Sequence, residues 1–312
     1  MISLTMRYSN LSVTLCLSCL VFISCSGKSG KDLQTQTPKA SWTVVQTESD
    51  TLMSIGGFSG PEAVRFDEEF DVYYVSNFNG RGGDRDSNGF ISKLAPDGRV
   101  LDLKYMQGTD EFPLHAPRGM FIDGNLFVAD ADGVHIFNRA DGSHAGFIDF
   151  SAFEPGFLND ITKGTDGKLY VTDTGGSAKK VYSIDDGKVE IAFADLPARP
   201  NGITLHPGSG KLVLAPWGGS RTFVKIDPAT GAVETDEHAS GGRFDGIEFY
   251  TGRAIVASQD DQSIYVHDKD GFRPFISVPG RPADIAIDAK RHRILVPYVA
   301  LDRVDVWALP VK

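Results

Sequence analysis

From residue 61 onward short apolar segments alternate with polar turns, and the segments recur in a fixed order. A first strand opens on one of six tetrapeptides: PEAV at Glu62, PRGM at Arg118, LNDI at Asn159, PNGI at Asn201, FDGI at Asp245 and PADI at Ala283. Their second residues stand 56, 41, 42, 44 and 38 positions apart, the long first interval carrying an insertion. Each is followed by a second segment of nearly continuous β-branched and aromatic residues (DVYYVSN, NLFVAD, KLYVTD, KLVLAP, RAIVAS, RILVPY). Such runs suit strands covered on both faces. A third segment follows, and after it Asp-Gly or Thr-Gly at Asp97, Asp141, Asp186, Thr230 and Asp270 marks a tight hairpin into a fourth.

Four strands in about 40–45 residues, repeated, is the pattern of propeller blades. The expectation is an all-β fold, a six-bladed β-propeller of four-stranded antiparallel blades formed by residues 41–312. A β-sandwich would not need so regular a period. The sixth repeat shows three strands, so SWTVVQTE, Ser41 to Glu48, is predicted to close the ring as the outer strand of the last blade.

First strands of propeller blades line the axis, and their opening residues converge on one mouth of the channel. Glu62, Arg118, Asn159, Asn201, Asp245 and Ala283 therefore form a ring. Its two carboxylates and two amide oxygens make a hard site of net negative charge, which matches Ca²⁺ better than a transition metal, although another divalent ion fits the same donors. None of the seven histidines occupies a ring position, which argues against zinc there. Asp160 replaces the glycine that follows Asn201 and Asp245, and is placed to hold a neighbouring ligand. The competing reading is that these side chains only bond free backbone groups where strands begin.

Charge and cysteine content narrow the partners and the compartment. With 31 Lys+Arg against 41 Asp+Glu the net charge is −10, and no basic cluster stands out, so nucleic acid is excluded as a partner. All three cysteines (Cys16, Cys19, Cys25) precede residue 26, leaving the propeller without a thiol for disulfide, zinc or nucleophilic chemistry. Arg7 precedes a mostly apolar run from Leu11 to Ile23, the layout of an export signal over residues 1–24. The run ends in VFISCSGKSGKD, which resembles the lipobox of bacterial lipoproteins, with Phe22 where leucine is usual. That resemblance implies lipidation at Cys25, a flexible tether over residues 25–40, and a domain anchored to a membrane facing the periplasm or the cell exterior.

FLNDITKGTDGKLYVTDTG, RPNGITLHPGSGKL and FDGIEF carry a resemblance to the gluconolactonase/regucalcin (senescence marker protein) family of six-bladed propellers, with paraoxonases as distant relatives, spanning residues 61–311. The resemblance implies a lactone hydrolase using one divalent metal, usually calcium. By it Glu62, Asn201 and Asp245 are metal ligands, and Asn159 a ligand or a contact to substrate and water. Asp245 is then the candidate base, and Arg118 steadies an anionic substrate or pairs with Glu62 or Asp245. Two departures bear on the substrate, a small lactone or ester. Phe157 stands where sugar-lactonase members have arginine, and Arg118 where paraoxonases have a histidine base, which leaves nearby His115 as a second candidate for the mouth. The alternative is a non-catalytic, metal-stabilised propeller that binds a small ligand or a protein. Asn77, Asp130 and Asp173, at the ends of second strands, either line the mouth or cap strands. DRDSNG, Asp84 to Gly89, has the oxygen spacing of half an EF-hand but Ala95 at the twelfth position, and reads as a surface loop.

Overall fold

The second strands, from Val72–Asn77 in blade 1 to Arg293–Tyr298 in blade 6, are buried at nearly every position. A strand can be apolar on both faces only where both are covered, and here each sheet stands between two others. The computed structural model describes residues 40–238 and 240–311; the export signal, Cys25 and most of the tether lie outside the described residues. It contains six four-stranded antiparallel sheets. Five run in chain order from an inner to an outer strand, and the sixth is completed from the other end of the chain.

The core lies between blades rather than within them. Tyr74 and Met106 of blade 1 pack with Met120 and Val128 of blade 2, and equivalent clusters join each later pair. The circle closes where Val64 and Val75 of blade 1 meet Leu295 and Val306 of blade 6. The hairpins supply the expected backbone: Gly98 and Gly271 adopt φ of 87° and 101°, which costs a residue without Cβ little.

The closing strand differs from the expected one. Met53–Gly56, not Ser41–Glu48, pairs antiparallel with Arg303–Ala308 as the outer strand of blade 6, with Met53 opposite Val306 and Gly56 opposite Arg303. These four residues directly precede blade 1, so a short connection joins the two blades, and Ile55 buries its side chain in the cluster that seals them. The earlier segment goes to blade 5 instead. Gln46 exchanges backbone hydrogen bonds with Phe275 and Ser277, both at 2.9 Å. Trp42 packs on Phe275 with ring centroids 4.9 Å apart, under the guanidinium of Arg253. An indole anchored in an apolar cluster outweighs the β-propensity of Val44 and Val45, which are exposed.

Ile55→Ala should therefore destabilise the domain by about 2–5 kcal/mol, the usual cost of truncating a buried aliphatic side chain. Val45→Ala should change little. Thermal melts of the two variants check which segment closes the ring, and equal losses would contradict this assignment.

Candidate functional site

Four inner strands begin with the same irregularity. The pairing shifts register between Pro61 and Val64 in blade 1, Leu158 and Ile161 in blade 3, Pro200 and Ile203 in blade 4, and Phe244 and Ile247 in blade 5. In each case three steps on the inner strand oppose two on its neighbour, which is a β-bulge. The residues inside the bulges are Glu62, Asn159, Asn201 and Asp245 with their successors. A bulge frees two consecutive residues from strict alternation, so one aims at the channel mouth while the next packs against the adjacent blade. The freed backbone N–H groups find partners: Ala63 donates to Ser76 Oγ at 2.9 Å, and Asp160 to Thr172 Oγ1 at 3.0 Å. Blade contact at this level is close enough that a Cβ on Gly202 would stand 2.3 Å from the carbonyl oxygen of Asp245.

Glu62, Asn159, Asn201, Asp245 and Ala283 line one cavity of about 410 Å³ at the channel mouth. All five are buried. Glu62 Oε2, Asn159 Oδ1 and Asp245 Oδ1 have no hydrogen-bond partner. Buried polar atoms are nearly always paired, so three such oxygens around one space are an acceptor set awaiting a donor or a cation. Gln259 holds the other Asp245 oxygen, donating to Oδ2 at 2.6 Å, and Asn201 donates from Nδ2 to the Phe244 carbonyl at 3.2 Å. This donor chemistry fits a hard divalent ion.

The electrostatics agree. Burial raises Asp245 to about 7, with the charge of Asp160 adding to the effect and Gln259 and Asn201 opposing it. Burial and then Asp245 push Glu62 well above the carboxylate range, against the pull of Arg118. Deeper in the channel one guanidinium meets three acids: Arg65 lies 3.1 Å from Asp160, 3.0 Å from Asp284 and 3.4 Å from Glu248. Burial opposes its charge, yet Asp284, Asp160 and Glu248 hold Arg65 above its ordinary pKa. Arg65 and Glu248 sit three residues beyond Glu62 and Asp245, so the inner strands supply this cluster in register with the ring.

Other expected residues fall elsewhere. Asp160 pins Ile203, two residues beyond Asn201, by accepting its N–H at 2.9 Å. Arg118 does not reach the cavity: it is buried behind Phe157, its guanidinium 3.5 Å from that ring's centroid, and donates to the carbonyl of Gly82 in the blade 1 insertion. Burial lowers it to about 10 despite nearby Asp130 and Glu62. A planar, weakly hydrated cation stacks readily on an aromatic face, and here that contact replaces a direct pair with a ring carboxylate. His115 also faces the insertion, Nδ1 accepting from Ser87 N–H at 3.1 Å. Asn77, Asp130 and Asp173 are caps, each accepting backbone N–H groups from the segment that enters its own inner strand. Asp84 to Asp86 are exposed loop residues.

The cavity walls were missed by sequence reasoning. Phe78, Thr174, Trp217, Gln259 and Val299 all line it, and each is the residue immediately after a second strand. That shared position is a signal the repeat contained. Phe157 and Arg199 complete the wall.

No family model and no curated protein matches the chain. Solved structures do. A gluconolactonase from Xanthomonas campestris aligns with TM-score 0.61 at 16% identity, covering 82% of this chain and 88% of that one. A catalytically inactive variant of virginiamycin B lyase from Staphylococcus aureus, with quinupristin, aligns with TM-score 0.56 at 14% identity, covering 81% and 97%. A nidogen/laminin complex structure aligns with TM-score 0.55 at 19% identity, covering 67% and 75%. These likenesses show the propeller fold.

A carboxylate whose folded pKa lies above its unfolded value binds a proton more tightly in the native state, so stability falls as pH rises between the two. For Asp245 that window runs from about 4 to 7, and Glu62 shifts in the same direction. Metal-free protein should lose thermal stability across this range, less steeply in Asp245→Asn. Melting curves at graded pH in chelator test this, and an unchanged slope in the variant would refute it.

Proposed function

We propose that the chain is a divalent-cation-dependent hydrolase of a lactone or related ester, acting in the axial cavity. The unpartnered oxygens of Glu62, Asn159 and Asp245 on one cavity wall carry this reading. Together with Asn201 they would hold the ion, and an all-oxygen set of this kind suits Ca²⁺. What a bound divalent ion supplies there is polarisation of the ester carbonyl and compensation of the charge that develops on its oxygen.

The chain's own residues do the remaining work. Asp245, whose carboxylate Gln259 orients through Oδ2, accepts the proton of the attacking water and returns it to the departing alkoxide. Phe78, Phe157 and Trp217 give the cavity an apolar wall that holds the body of the substrate and limits access of further water. Phe157 in place of an arginine favours a less hydroxylated substrate than a sugar-acid lactone. Arg118 acts from behind that wall, its charge countering Glu62, and Arg199 is the cation that borders the substrate space. The export-signal layout of residues 1–24 and the lipobox-like stretch at Cys25 support a location outside the cytoplasm, with a tether through lipidated Cys25.

Calorimetric titration of Ca²⁺ into chelator-treated protein should show one site, lost in the Glu62→Gln/Asp245→Asn double variant. Asp245→Asn alone should keep the fold and lower kcat on a hydrolysed lactone or ester by about 10² or more. Absence of Ca²⁺ binding overturns the metal site. Binding without turnover across a lactone and ester screen would instead assign the cavity to ligand recognition.

A further inference from the structure

Away from the axis, three ligand-type side chains converge between blades 4 and 5. Asp236 lies on the outer strand of blade 4 (Val233–Glu237), His238 just beyond it, and His267 on the third strand of blade 5 (Ser263–Asp268). A nitrogen from each imidazole and an Asp236 oxygen lie within 4.8 Å of one another, and His238 Nε2 is 3.9 Å from Asp236 Oδ2. They border a peripheral cavity of about 220 Å³ that shares no lining residue with the axial one.

We propose that Asp236, His238 and His267 form a site for a zinc-type transition ion that bridges blades 4 and 5. Two imidazoles and one carboxylate are the donors of a borderline ion, whereas the axial ring offers oxygen alone. Packing holds both rings: His238 stacks on Phe272 with centroids 4.2 Å apart at 14°, and meets His267 edge-on at 4.9 Å and 74°. Donors around a tetrahedral ion with bonds of about 2.0–2.1 Å stand roughly 3.4 Å apart, so donors within 4.8 Å of one another need to close by at most about 1.4 Å. Three protein ligands would leave one coordination position of such an ion for water or another ligand.

One group competes. Lys225 Nζ lies 3.2 Å from Asp236 Oδ2, on a side chain exposed enough to swing into solvent. Metal binding must displace it, so its removal should tighten the site. In the other such cluster among the described residues, Asp130, Asp132 and His135, the Asp130 carboxylate is committed to structure. Both Asp130 oxygens accept backbone N–H groups, at 2.7 Å from His115 and 2.6 Å from Ala116, and His135 Nδ1 is 3.1 Å from His144 Nε2.

The experiment is Zn²⁺ titration of the chelator-treated full chain with Cys16, Cys19 and Cys25 alkylated, paralleled by visible absorption of the Co²⁺ form. One Zn²⁺ should bind, at least tenfold more weakly in His267→Gln and several-fold more tightly in Lys225→Gln, and be retained by the Glu62→Gln/Asp245→Asn variant. His238→Gln serves as the second ligand variant if His267→Gln does not fold. The proposal is overturned by absence of Zn²⁺ binding, by binding indifferent to both histidine substitutions, or by binding lost in the axial variant, which would place the ion at the ring.

Discussion

Charge buried along the axis is the constraint around which the rest is arranged. Glu62, Asp160, Asp245 and Asp284 are buried, and half-buried Glu248 joins them. Burial drives all five upward in pKa. Two guanidinium groups face them. Arg65 is committed to Asp160, Asp284 and Glu248, and Arg118 is turned onto Phe157. Glu62 and Asp245 are thus left without a directly paired cation at the mouth. Removing such charge from water is costly unless it is paired or neutralised, so the channel depends on protons or a cation to offset it.

Presenting that charge at one point requires backbone as much as side chains. A regular inner strand would send successive residues to opposite faces. Bulges at Glu62, Asn159, Asn201 and Asp245 break this alternation on four of the blades, and hydroxyls from neighbouring strands, such as Ser76 and Thr172, satisfy the N–H groups they release. At the matching level of blades 2 and 6, Arg118 and Ala283 donate backbone hydrogen bonds to the carbonyls of Ala129 and Pro297 on their second strands, ahead of the regular inner strands that begin at Met120 and Ala286. Arg118 and Ala283 occupy those positions, and neither offers an oxygen ligand. Which of the six positions offers an oxygen donor is therefore set by the side chain placed there. Closure by Met53–Gly56 keeps the blades that carry Glu62 and Ala283 together.

The propeller was legible because its evidence is periodic. Six tetrapeptides, six doubly apolar second strands and the Asp-Gly hairpins are local features that recur, and repetition places equivalent residues at equivalent depths without any knowledge of contacts. Glu62, Asn159, Asn201 and Asp245 were identified as convergent on that basis, and they do line one cavity. Positions that depend on which neighbour wins a side chain were not legible. Trp42 takes its segment to blade 5 because Phe275 and Tyr250 are there to receive it. Arg118 leaves the mouth because Phe157 and the carbonyl of Gly82, remote in sequence, converge behind the wall.

The sequence by itself thus determined the number of blades, the order of their strands and the four oxygen-bearing residues that line the axial cavity, since strand period and repeat spacing encode these locally. Only the tertiary structure decided which strand closes the ring, which oxygens remain unpartnered and which cations are consumed elsewhere. Those outcomes depend on competition among groups far apart in the chain, and no local pattern records its result.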